Sequence, residues 1–172
     1  MRAITFAAVA ALAACKPPPT DAGLDRELPE PATDYASDPL PSPQTQGAVW
    51  AVSAADKDRI VYGVRGEPAL ITLTCQSGKG LPRVQITRLS PADEGAGALL
   101  AFVGNGHIGR LEVDAVEVNG RTIWQGETLA ADVALEPLAG PRQLTATIPG
   151  AGMVRLNPSP LPGQWLQSCR ES

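Results

Sequence analysis

Histidine is almost missing from this chain: His107 is the only one in 172 residues. Cysteine is scarce too, at three, and the aromatics amount to two Phe, two Tyr and three Trp. Each shortage excludes a class of function. With one histidine and no CxxC pair, Cys75, His107 and Cys169 make a poor zinc set, so no metal is expected. There is no basic stripe interleaved with aromatics, which argues against a nucleic-acid partner. The apolar stretch near the start, Ala3 to Ala14, is twelve residues long, short of the ~20 that a membrane-crossing helix needs. The GxSxG elbow, HExxH, the Walker loop and the EF-hand pattern are all absent. A Ser-His-Asp arrangement would have to use His107, and no serine has a distinctive nucleophile context.

What is present begins at the amino terminus. Met1-Arg2 is followed by the uncharged stretch Ala3 to Ala14, and then by Cys15. A basic start, a short apolar run and small residues before a cut describe a secretory signal. Leu12-Ala13-Ala14-Cys15 resembles the lipobox of bacterial lipoproteins. The resemblance implies cleavage between Ala14 and Cys15 and a diacylglycerol thioether on Cys15. That covalent lipid is the only non-protein group expected, and it would be the membrane contact. Two or three acyl chains anchor firmly, at about 0.8 kcal/mol per buried methylene. Lys16 follows the cysteine where enteric lipoproteins retained in the inner membrane usually carry Asp, so the resemblance extends to the class sorted to the outer membrane, facing the periplasm. The alternative is an ordinary signal peptide that leaves Cys15 as a free thiol. Loss of Arg2 would take the formal net charge from −4 to −5.

The organisation predicted is a signal peptide (1–14), a lipidated cysteine with a disordered spacer (15–46) and one β-domain (47–172). The spacer holds eight of the 17 prolines and six acidic residues against Lys16 and Arg26. Its large apolar residues are Leu24, Leu28, Tyr35 and Leu40. Such a stretch buries too little apolar surface to offset its ordering entropy, and its proline density keeps it extended. A tether is the plainer reading; a partner-binding tail through Pro39-Leu40-Pro41-Ser42-Pro43 is the other.

The remainder reads as short strands between turns. Leu70 to Cys75 alternates, with Ile71, Leu73 and Cys75 on one face. Arg83 to Leu89 alternates, with Val84 and Ile86 inward and Arg83, Gln85 and Thr87 outward. Gly78-Lys79-Gly80 and Pro82 read as the loop between them. Ala98 to Val103 is continuously apolar and predicts a strand buried on both faces. Asn119-Gly120 suits the two positive φ angles of a type I′ turn, which predicts a hairpin. Leu129 to Leu135 fits strand or helix. Leu161, Trp165, Leu166 and Cys169 are at helical spacing, with Gly163 weakening that short helix. About eight strands with frequent Gly and Pro turns predict an all-β sandwich or barrel with a short C-terminal helix. Cys75 and Cys169 are expected to pair, because two thiols in an oxidising compartment rarely stay apart. The chain-entropy contribution of so long a loop is about 4–5 kcal/mol.

Three groups could carry chemistry. His107 lies in Gly104-Asn105-Gly106-His107, which is either an anion-binding nest with a base or a hairpin turn. Asp93-Glu94 could be an acid-base pair or a solvated turn. Trp50, Trp124 and Trp165 could line a groove or fill the core. Cys75 on a strand with a distant C-terminal Cys is also similar to small envelope β-domains, including lipoproteins that inhibit host lysozyme. The short loop those proteins use has no counterpart here, so no residue is carried over. The function expected is a non-enzymatic binding or accessory domain, with an envelope protein or cell-wall partner. A structural envelope component, or a periplasmic hydrolase using His107, is the alternative.

Overall fold

The computed structural model describes residues 37–78 and 80–172. Ala14, Cys15 and the spacer as far as Ala36 lie outside the described residues, as does Lys79. Nine strands follow in chain order: β1 (Val49–Val52), β2 (Arg59–Gly63), β3 (Ile71–Gln76), β4 (Arg83–Pro91), β5 (Gly97–Gly104), β6 (His107–Val118), β7 (Arg121–Leu129), β8 (Leu144–Thr147) and β9 (Met153–Leu156). A 3-10 turn (Val133–Leu135) and α1 (Glu136–Ala139) interrupt them, and α2 (Leu161–Arg170) ends the chain. All nine strands form one antiparallel sheet, ordered β1-β2-β3-β4-β7-β6-β5-β8-β9.

The sheet curls into a nearly closed barrel because one face of every strand is apolar. Ile60, Tyr62, Ile71, Leu73, Val84, Ile86, Leu100, Phe102, Val154 and Leu156 all belong to the buried core. Side chains, not a ladder, join the two sheet ends. Tyr62 Oη on β2 donates to the Arg155 carbonyl of β9 at 2.9 Å and accepts from Asn157 N at 3.0 Å. Asn157 Nδ2 donates to the carbonyls of Thr45 and Ala48, just before β1, at 3.0 and 2.8 Å. Burial raises the Tyr62 pKa, so its hydroxyl keeps the proton it donates. The Trp50 ring tilts against Tyr62, with centroids 5.2 Å apart.

Helical elements fill one end of the barrel, where β3, β5 and β7 finish and β4, β6 and β8 begin. Trp165, Leu166 and Cys169 point α2 inward, and Trp165 Nε1 donates to the Asp58 carbonyl at 3.2 Å. Cys169 is disulfide-bonded to Cys75 at the end of β3, with Cα atoms 5.7 Å apart. Gly163 proves necessary here and not merely a weakness. A Cβ there would stand 2.4 Å from the Ala139 carbonyl oxygen, so only glycine lets α2 rest on α1.

Three readings are changed or settled. Leu99 and Val103 are 49% and 44% exposed, so β5 is buried on one face only, like its neighbours. Leu129 closes β7, and Ala130 to Ala139 turns into the helical cap, where Asp132 accepts from Ala134 N at 2.8 Å. The nine strands and the short C-terminal helix agree with the all-β architecture of about eight strands that was expected. The spacer was expected to run to Gln46, yet residues 37–46 lie along the domain: Leu40 N donates to the Gly150 carbonyl at 2.8 Å, and Ser42 Oγ accepts from Met153 N at 3.0 Å. The Asn119-Gly120 hairpin forms as predicted, with φ of 52° and 74°.

The seam between the sheet ends yields a direct test. Tyr62→Phe leaves the Arg155 carbonyl and the Asn157 N–H without partners inside the fold. The expected loss is about 1–3 kcal/mol of unfolding free energy, measured by urea titration. An unchanged midpoint would mean that the sheet ends are held by something else.

Candidate functional site at the open mouth

Among the described residues, the end of the barrel opposite the helices carries no helical cap. It is formed by the end of β4, the starts of β5 and β7, and the turn between β8 and β9. A cavity of about 410 Å³ opens there, walled by Leu40, Pro91, Ala96, Ala98, Trp124 and Ala151, with Asp38 and Asp93 among its polar residues. The volume is within the range of ligand clefts, roughly 300–1,000 Å³, and the lining is mostly apolar, as such clefts are.

Beneath the mouth the barrel interior turns polar. Alternation along β4 places Arg88 and Ser90 on the same inward face as Val84 and Ile86. Each is only 5% exposed. Arg88 Nη1 donates to the Leu70 carbonyl at 3.0 Å and Nη2 to the Ala151 carbonyl at 3.3 Å. Among the described residues no carboxylate pairs with it. Burial lowers its pKa to about 10. Trp124, opposite Arg88 in the β4–β7 register, is 7% exposed. The register then shifts between Arg88 and Pro91, which places Ser90 within the irregularity. Trp124 Nε1 and Ser90 Oγ are both buried and have no hydrogen-bond partner among the described residues. Two orphaned groups and an acid-free guanidinium therefore gather at one end of an otherwise apolar barrel.

A strap of chain runs beside the cavity. Ser37 donates to both oxygens of Asp93, from its amide at 2.9 Å and from its hydroxyl at 2.6 Å. These two bonds hold the Asp93 carboxyl below its ordinary value. Together with the Leu40–Gly150 bond they fasten residues 37–40 to both sides of the mouth.

Compared with protein-family models, curated proteins and solved structures, the chain matches none of them.

The residues singled out in the sequence fall as follows. Cys15 and Ala14 lie outside the described residues. Cys75 and Cys169 are joined at the helix-filled end, away from the mouth. His107 is exposed at the start of β6, beyond a hairpin in which Asn105 and Gly106 take φ of 51° and 85°. The Asn105 side chain does not face a ligand; it donates to the carbonyls of Pro137 and Gly140. Asp93 serves the strap, while Glu94 beside it is exposed. All three tryptophans belong to the core, and Trp124 also lines the cavity. No group of three or more His, Cys, Asp or Glu able to hold a metal occurs among the described residues. Arg88 and Ser90 were overlooked, although the alternation that turns Val84 and Ile86 inward also turns them inward.

The strap gives a pH prediction. A carboxyl whose pKa is lower folded than unfolded stabilises fully above its ordinary value of 3.8 and loses that contribution as pH falls through the lowered one. Protection of the Ser37 amide from hydrogen exchange, read by NMR, should be greatest at neutral pH and be lost at acid pH below 3.8. Asp93→Asn should weaken that protection at neutral pH as well. Equal protection in the variant would show that the strap is held elsewhere.

Proposed function

We propose that this chain is a cell-envelope lipoprotein whose β-barrel is a non-enzymatic binding module, tethered by lipid on Cys15, with the open mouth as its binding site. The observation that carries the binding reading is the pairing of an apolar cavity with partnerless buried groups, Trp124 Nε1 and Ser90 Oγ, at the same end. Buried polar atoms without partners cost about 1–3 kcal/mol each. A bound molecule that supplied acceptors would recover that cost.

The hydrolase alternative has less support. Ser90 is the buried hydroxyl at the mouth, but no base is bonded to it. His107 sits at the far end of β5, since Gly104 pairs with His107 while the mouth begins at Gly97. Seven residues of strand separate them, roughly 20 Å, which is far beyond proton-transfer reach.

The anchor rests on Leu12-Ala13-Ala14-Cys15 and the basic, apolar stretch before it. On this reading the lipid makes the membrane contact, and Lys16 after the cysteine supports the outer membrane, facing the periplasm. No helix of the described residues is long and apolar enough to cross a membrane.

One experiment in the living host tests both parts. Cells expressing the full chain are fed labelled palmitate, and a photo-crosslinking residue is placed either at Ala92 on the mouth or at Gln167 on α2. Label should enter the protein and vanish in Cys15→Ser; label that persists in that variant refutes the anchor. A discrete partner or small molecule should be captured from Ala92 and not from Gln167. Equal capture at the two positions, or none, refutes the mouth as the binding site.

A further inference from the structure

The chemistry beneath the mouth narrows what could bind there. The walls are hydrocarbon: Leu40, Pro91, Ala96, Ala98, the Trp124 ring and Ala151. The hydrogen-bonding capacity lies inward. Trp124 Nε1 is a donor and nothing else, Ser90 Oγ can donate, and both are unused. Arg88 Nη2 is bonded to the carbonyl of Ala151, a wall residue, so a full positive charge stands directly behind the lining. The acids of the lining, Asp38 and Asp93, belong to the strap and to the β4–β5 loop, so the negative charge lies at the rim. A negative group is repelled at the rim and attracted at depth, in a medium where charges interact strongly. An ammonium group meets the reverse arrangement.

We infer that the mouth cavity takes a small single-chain amphiphile with an anionic, hydrogen-bond-accepting head and a short apolar body, inserted head first toward Trp124 and Ser90 with Arg88 behind them. This rests on the proposed reading of the mouth as a binding site and adds the class of ligand. A carboxylate matches the donor set: its two oxygens can accept from the indole N–H and the hydroxyl while its charge is balanced by the guanidinium. The apolar body then replaces water along the alanine and proline walls. Neither orphaned atom touches solvent, so the head reaches them only when part of the wall yields. The strap is the least costly part to move. It is fastened to the mouth by surface hydrogen bonds, and such segments open at low free energy.

The test uses the purified full chain and three probes that share a ten-carbon tail: decanoate, decanol and decyltrimethylammonium. Binding is followed by calorimetry and by tryptophan fluorescence. Decanoate should bind at least tenfold more tightly than decanol, and decyltrimethylammonium more weakly than either. Trp124→Phe keeps an aromatic ring, smaller than the indole, and removes the N–H. It should weaken decanoate about tenfold and leave decanol nearly unchanged, as expected for one hydrogen bond to a charged acceptor. Ser90→Ala gives a second, milder reading of the same selectivity if the Trp124 variant folds poorly. Ala98→Phe, which fills the cavity from β5, should abolish binding of all three.

Equal affinity for decanoate and decanol, or a preference for the cation, overturns the inference. So does decanoate binding that Ala98→Phe leaves intact, because it would lie elsewhere. Failure of all three probes while a photo-crosslinker at Ala92 still captures a partner overturns the ligand class alone. Failure of both overturns the binding site with it.

Discussion

The closure of the sheet through Tyr62 and Asn157 is the constraint on which the rest depends. Nine antiparallel strands leave two free edges, and an open sheet with one apolar face must cover that face or curl. Here the ends meet without a ladder. One phenol oxygen both donates to and accepts from the β9 end, and one side-chain amide spans two carbonyls ahead of β1. The neutral hydroxyl suits this double role, since a phenolate could accept from Asn157 but could no longer donate to Arg155. Once the ends are joined, the interior becomes a single space, and whatever sits at its two openings decides what the molecule can do.

The two openings are treated differently. At one, α2 is held by the disulfide, by Trp165 and by Arg170, whose Nε donates to the Ala130 carbonyl at 2.8 Å while its Nη2 pairs with Glu136 at the same distance. At the other, a strap and a few loops leave a cavity. The polar interior residues, Arg88 and Ser90, lie toward the open end, and apolar core residues occupy the rest of the inward face. This asymmetry makes one end a plug and leaves the other as the candidate site.

Much of this architecture could be read from the residues. Asn119-Gly120 set its hairpin because few other pairs accept two positive φ angles. The inward faces of β3 and β4 followed from strict alternation at Ile71, Leu73, Val84 and Ile86. The reading failed where local pattern and tertiary context disagree. Ala98 to Val103 is apolar throughout, so periodicity could not reveal that Leu99 and Val103 face outward. Pro39 to Pro43 has a spacer's composition, yet its backbone and Ser42 hydroxyl find partners on the β8–β9 turn. Gly163 counted against a helix by propensity, while the close approach to Ala139 required it. The site was the least legible part. It depends on Arg88 lying opposite Trp124 and on a register shift beside Ser90, and both are facts of strand pairing.

Arg88 also sets the energetic terms of the site. Lowering an arginine from its ordinary value to about 10 means that its charged form is disfavoured by roughly 3 kcal/mol relative to an exposed one. The sign decides where this matters. The folded chain gives up that proton at lower pH than the unfolded chain, so stability rises only as pH climbs above about 10. Throughout the neutral range the guanidinium stays charged and its burial cost is constant. Two carbonyls offset part of that cost, and an apolar side chain of similar volume would avoid it altogether. A fixed, partly compensated positive charge favours any anion that reaches it, because an anion offsets part of the cost of burying the guanidinium. Such an anion would also pull the Arg88 pKa back upward. On the proposed reading, the group whose burial costs the fold is also the one placed to favour an anionic ligand.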